Sequence, residues 1–285
     1  MTVEQKTNAD GFPKAAELIE ITGTSALEAS DRVVLNLLYQ YAHDSGRFAE
    51  PDAVFEVPIT DLLHSSHVGT ERVRETLTRL LAIQVQVPIK HPRTGHSAVL
   101  MTHLFSSFVT PVKADPGRSA TVCYRIPSDL LPILLTSNRW GRIKAATVCA
   151  MTSKYAIALY ELLQLRANMD RCVELFPVAR FRELLGVPLG TYSEGTGFIR
   201  KVIEPAILEV NALSDLGVAI EVRRRSARAP IEAVAVTWWK KEAEQFREAI
   251  RERERPKLGR RARLKAHVEA GLTHEIAQVA QPGLA

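Results

Sequence analysis

One order of local patterns (helix, strand, proline-opened helix, turn, helix, strand, turn, strand) is laid down twice in this chain, about 120 residues apart, and such a duplication restricts the fold to two similar units in tandem. The 285 residues are enough for two cores of about 100 residues each. In the first copy, Ser25 and Glu28 have the spacing of a capping box, and Val34, Leu37, Leu38 and Tyr41 follow at helical intervals until Ser45-Gly46. This predicts a half-buried helix. A short strand over 54–57 meets Pro58, whose fixed φ suits the first turn of a helix carrying Leu62 and Leu63. After a turn at 65–69, residues 70–81 read as a helix with Val73, Leu77, Leu80 and Leu81 inward and Arg72, Glu75, Thr76 and Arg79 outward. Val85 and Val87 then alternate on a strand, 90–96 make a turn, and 97–108 supply the returning strand.

The second copy repeats each step. Thr152 or Ser153 caps a helix with Tyr155, Leu159, Leu162 and Leu163 on one face, 173–176 form a strand, and Pro177 opens a helix that stops at Gly186. A glycine-bearing connection over 187–197 leads into a helix with Ile199, Val202, Ile203, Ala206, Ile207 and Val210 on one stripe. Strands at 218–222 and 231–238 enclose a bend at 223–230. Between the copies, 121–126 read as a strand and 128–135 as a helix, together bridging the units.

Two helices joined by a turn, the second cationic outside and followed by a hairpin, form a winged helix-turn-helix, whose second helix fits the major groove of DNA. The fold class is therefore α+β: two tandem winged-helix domains with a charged C-terminal extension. The expected boundaries are a flexible arm over 1–24, with a short turn at 15–21, and a first domain over 25–138 for dimerisation or phosphate contact. A second, sequence-specific DNA-binding domain spans 139–240, and a tail over 241–285 starts helical and becomes mobile and basic. In the second domain the helix over 195–211 presents Thr196, Arg200 and Lys201 at the end that faces base edges, with Arg200 the candidate guanine contact. Pro205 predicts a kink near Lys201, because it removes one hydrogen bond and clashes with the carbonyl four residues back. Tyr192, in the preceding turn, is placed for a phosphate hydrogen bond, and Arg223, Arg224, Arg225 and Arg228 sit at the wing tip. Taken alone, Arg200 and Lys201 also read as a solvated face; the wing arginines favour DNA. In the first domain the corresponding residues are Thr70, Arg72 and Arg79 on the helix and Lys90 and Arg93 at the wing, but Glu71 and Glu75 dilute the charge, and dimer contact competes with base reading.

Lysine and arginine exceed aspartate and glutamate by 37 to 32, which favours an anionic partner. Cys123, Cys149 and Cys172 stand isolated, without a CxxC pair, and fit a reducing cytoplasm. No stretch approaches the ~20 apolar residues of a membrane helix. A strand-nicking enzyme needs a tyrosine beside a metal held by histidines; His64 and His67 lack a third ligand, and Tyr155 and Tyr160 read as packing residues. No GxxxxGK[ST] loop is present to cradle nucleotide. The expectation is no catalytic centre, no metal and no cofactor.

Several spaced blocks of the second copy have the wording of a known family: Ser153-Lys154-Tyr155-Ala156-Ile157 before Leu159-Tyr160-Glu161-Leu162-Leu163, Phe181-Arg182-Glu183-Leu184-Leu185-Gly186-Val187, Tyr192, and Val202-Ile203-Glu204-Pro205-Ala206-Ile207-Leu208-Glu209-Val210-Asn211. Over 152–238 the chain resembles the iteron-binding initiators of plasmid replication; over 27–135 only element order matches. The resemblance implies double-stranded origin DNA with direct repeats as ligand, opening of adjacent A·T-rich DNA, and contact with the host replicative helicase and initiator proteins. It also implies repression of the protein's own gene by a homodimer built on the first domain, which dissociates to monomers on iterons. The recognition helix maps to 196–211, and Pro205 matches a proline of the family pattern. A dimeric winged-helix repressor and a rolling-circle nicking enzyme are the alternative readings.

Overall fold

The computed structural model describes residues 11–50, 52–63, 69–111, 120–226 and 229–265. Strand β1 (Phe12–Ala15) and the single helical turn α1 (Ala16–Ile19) open it, with Phe12, Ala15, Leu18 and Ile19 buried. This corrects the flexible arm expected up to residue 24; residues 1–10 lie outside the described residues. The cause is a distant partner, since β1 pairs antiparallel with the strand Trp140–Ile143.

A 3-10 turn at Thr24–Ala26 delays the first long helix, α2 (Ala29–Asp44), so the box expected at Ser25 is replaced by one at Glu28, whose N–H donates to the Asp31 carboxylate at 2.9 Å. Strand β2 (Phe55–Pro58) and helix α3 (Thr70–Ala82) follow as the sequence predicts, while the helix expected after Pro58 is a single 3-10 turn at Ile59–Leu62 that ends before Leu63. Strands β3 (Gln84–Lys90) and β4 (Ser97–His103) form the first wing, in register from Gln84↔His103 to Lys90↔Ser97. The returning strand breaks at Leu104 and Phe105, both fully buried, and β5 (Ser107–Val109) joins a different sheet. There β6 (Thr121–Arg125) lies between β2 and β5. The segment expected to bridge the units is thus the middle strand of the first, because Val122 and Tyr124 alternate into its core among Phe55, Phe105 and Phe108. The crossing is made by α4 (Leu131–Thr136), β7 (Trp140–Ile143) and α5 (Ala145–Ala150).

Helix α6 (Lys154–Arg166) is capped by Ser153, whose Oγ accepts from the Ala156 N–H. It is buried on nearly every side because α2 packs against it from the first unit and the recognition helix from its own. Strand β8 (Val173–Pro177) and helix α7 (Val178–Leu185) come next. The recognition helix is built from α8 (Gly195–Phe198), a π-helical turn at Ile199–Ile203, and α9 (Glu204–Leu213). Strands β9 (Leu216–Arg223) and β10 (Ala233–Lys240) form the second wing, in a sheet ordered β8-β10-β9. Helix α10 (Ala243–Glu254) begins the extension. The basic stretch expected to be a mobile tail packs against the rest of the chain up to residue 265: Arg260 is buried, donates to the Ala150 carbonyl at 2.6 Å and pairs with Glu252, and Leu264 is buried. Residues 266–285 lie outside the described residues.

The two units meet across a buried polar seam. The Glu161 carboxylate of α6 accepts from Asn36 Nδ2 at 2.6 Å and pairs with Lys14 Nζ at 3.0 Å, while Lys14 also donates to Asn36 Oδ1. Nearby, Arg166 pairs with Glu20 and Glu174, and Lys154 donates to the Ser25 carbonyl. Burial drives the Lys14 ammonium below its usual range, and Glu161 opposes that shift. A buried charge costs several kcal/mol unless it is paired, so Glu161 is what permits Lys14 to be there. Replacing Glu161 by Gln is expected to destabilise the protein by about 3–5 kcal/mol in urea unfolding, and the double change Lys14→Met with Glu161→Met to recover most of that stability. Equal destabilisation in the single and double variants would contradict the pairing.

Candidate nucleic-acid interface

The second unit arranges its surface from Pro177, which starts α7, to Gly186, which ends it in the left-handed conformation at φ 69°. The Val187 N–H then returns to the Arg182 carbonyl at 2.9 Å, closing the helix end. The turn that follows holds Tyr192 at φ 51°, a conformation that costs a bulky residue energy. Arg182 holds it there: its guanidinium donates to the carbonyls of Thr191 and Tyr192 and lies 4.6 Å from the centre of the Phe198 ring. One arginine thus ties the turn to both helices. Sequence reasoning misses this central role; an arginine near the end of the first helix, with an aromatic on the second, is the signal that could have found it.

The recognition helix buries Phe198, Val202, Ile203, Ala206, Val210 and Leu213 and leaves Thr196, Arg200 and Lys201 exposed. The irregularity expected near Lys201 takes the form of the π turn, in which the Glu204 N–H bonds to the Ile199 carbonyl five residues back, one position before Pro205. Arg200 makes no ion pair or hydrogen bond among the described residues. Lys201 lies 5.7 Å from the centre of the Tyr192 ring. Burial pushes the pKa of the neighbouring Tyr155 up to about 12, and Tyr192 beside it adds to the shift.

At the second wing, Arg224 folds back toward the start of the recognition helix, so that a Cβ on Gly195 would lie 2.7 Å from its guanidinium, and it donates to the Ala229 carbonyl at 3.4 Å. Arg223 pairs with Glu221 at 2.9 Å and Arg225 with Glu232 at 2.6 Å; the two arginine side chains are 62% and 84% exposed. Exposed pairs of this kind contribute about 1 kcal/mol or less, so a phosphate can take either cation from its glutamate. Arg228 lies outside the described residues.

In the first unit Thr70 and Arg72 are exposed, as are Lys90 and Arg93 at the wing, where the His91 ring nitrogen accepts the N–H groups of Arg93 and Thr94. Arg79 is not a free cation. Its Nε and Nη2 make a two-pronged contact with the fully buried Asp31 carboxylate, at 3.0 and 2.8 Å. Thr76, expected outside, is buried, and Leu81, expected inside, is exposed, because the inward stripe of α3 runs Val73, Thr76, Leu77, Leu80. His64 and His67 lie outside the described residues. Among the described residues no group of three or more His, Cys, Asp or Glu is placed to hold a metal, and no helix is long and apolar enough to cross a membrane.

Two helix-turn-helix units, each closed by a hairpin and joined through a buried seam, define a tandem winged-helix protein. Residues 13–164 match the family described as Initiator Replication protein, WH1, and residues 177–238 match that described as Initiator Rep protein, WH2. The chain belongs to this family of replication initiators. Among solved structures it is similar to the Pi initiator protein in complex with iteron DNA, at 16% identity and a TM-score of 0.59, over 83% of this chain and 100% of that one. A structure of domains 2 and 3 of RctB aligns at 15% identity and a TM-score of 0.43, over 74% and 80%. Comparison with curated proteins finds no match.

Arg79→Ala is expected to cost about 2 kcal/mol or more of stability, by leaving the Asp31 carboxylate buried without its partner, and to leave the salt dependence of DNA binding unchanged. Wild-type stability with a flatter salt dependence would return Arg79 to the DNA-contacting set.

Proposed function

We propose that this initiator binds direct repeats of a plasmid origin as duplex DNA, with the recognition helix in the major groove and the β9–β10 wing on flanking phosphates. The observation that carries the reading is the exposed Arg200 and Lys201 on the first half of that helix, with Arg224 folded over Gly195 at its start. On this reading the cations stand where base edges and the backbone come within reach together. The likeness of fold to Pi, whose structure holds iteron DNA, supports it. On this reading the protein opens adjacent DNA, brings in the host helicase and initiator proteins, and represses its own gene as a homodimer that separates on the repeats. The first unit supports self-association: Val99 and Met101 are exposed on β4, which has no second neighbouring strand among the described residues.

Footprinting on the DNA that flanks the gene is expected to protect tandem direct repeats; protection confined to a single palindrome would favour a repressor instead. Arg200→Ala should weaken binding by about 1–3 kcal/mol on cognate DNA and much less on random DNA. Equal weakening on both would remove Arg200 from base contact. Changing Arg223, Arg224 and Arg225 together to Ala should weaken all sequences alike and reduce the slope of log affinity against log salt by ~0.9 for each phosphate no longer neutralised, and an unchanged slope would take the wing off the backbone.

A further inference from the structure

A groove of about 910 Å³ runs beside the recognition helix, on the side away from its own wing tip and facing the C-terminal extension. One wall is the second half of that helix, through Ile207, Leu208 and Asn211; the other is the extension, through Arg251, Arg261 and Lys265. Trp239 completes the lining. The two tryptophans near the end of β10 point to opposite faces: Trp238 is buried with its Nε1 donating to the Arg166 carbonyl, while Trp239 is 43% exposed. The Trp239 ring lies so close over Gly217, its partner across the hairpin, that a Cβ there would be 2.2 Å from it. Glycine at this position lets the indole lie against the sheet.

Five cations line the groove against three carboxylates. One of the three, Glu252, is engaged by Arg255, Arg260 and Arg263, and among the cations Lys241 is turned into the backbone carbonyls of Asn211 and Ser214. Arg251, Arg261 and Lys265 have no ion pair among the described residues, and Glu204 and Glu248 are the remaining acids. An exposed aromatic face set among unpaired cations is the combination that holds unpaired nucleic acid, because every base has a face to stack and every nucleotide a phosphate. A duplex offers no free base face to a ring in a groove between packed helices. An acidic peptide would satisfy the cations but leave the ring without a stacking partner.

We propose that this groove binds an unpaired DNA strand, with a base stacked on Trp239 and phosphates at Arg251, Arg261 and Lys265. The residues assigned to the strand, Trp239, Arg251, Arg261 and Lys265, follow the matched WH2 segment, and the groove they share with the second half of the recognition helix is distinct from the face proposed to read duplex. The test titrates full-length protein into fluorescein-labelled oligothymidylate at low salt, with tryptophan emission followed on an unlabelled oligomer. Strand binding should quench emission. Trp239→Ala should remove most of the quenching and weaken oligomer binding about tenfold, within the range for one stacked base, and Trp239→Tyr, which keeps a ring, should recover most of the affinity. Arg251→Gln, Arg261→Gln and Lys265→Gln together should lower the salt slope by ~0.7 for each phosphate the variant no longer neutralises. Duplex affinity should stay at the wild-type level in all of these, while Arg200→Ala weakens duplex and spares the oligomer. Unchanged oligomer affinity in the Trp239 and triple variants, as a peptide groove would give, overturns the proposal. So does a parallel drop in duplex binding, or a drop in oligomer binding on Arg200→Ala.

Discussion

Glu161 is the carboxylate on which the rest of the structure depends, because this one group of α6 neutralises Lys14 of β1 and satisfies Asn36 of α2. Apolar faces alone would hold α2 against α6 but allow them to slide, since burial is non-directional. A buried carboxylate with two short directional contacts accepts one arrangement, and any displacement leaves charge without solvent or partner. The two heads are therefore presented as a pair of fixed relative orientation. If both heads bind DNA as proposed, the second would meet it at an effective concentration set by the first, without the entropy of a loose tether.

How much of this could be read from the sequence divides by distance along the chain. Elements whose cause is local were legible: Pro58 and Pro177 each introduce a helical turn, Gly186 ends α7, and the alternation of Val85 and Val87 gives a wing strand. Features whose cause is remote were not. The N-terminal residues look too short and too broken by Gly11 and Pro13 to be structured, and they become a strand only because Trp140–Ile143 lies alongside. Arg79 has the appearance of an exposed cation until Asp31, from a helix earlier in the chain, takes its guanidinium. Arg260 likewise belongs to a basic run in the sequence and to the end of α5 in space.

The candidate interface was more legible than the seam, since exposure of Arg200 and Lys201 follows from helical period alone. What periodicity does not give is the state of the charges. Glu221 on β9 and Glu232 just before β10 flank the wing arginines, so the tip that reads as four bare cations carries two exposed ion pairs among its described residues. A scan of the hairpin for acids facing the bend would have found them.

The wide turn at Ile199–Ile203 has a consequence for comparison and engineering. A π turn holds one residue more than the α-helical turn it replaces, so side chains before and after it are offset by roughly 100° from where a regular helix would aim them. Contact rules tabulated by position on regular recognition helices therefore transfer to this one only up to Phe198; beyond it they point one residue astray. Transplanting a specificity from another initiator would require moving the irregular turn together with the side chains it aims.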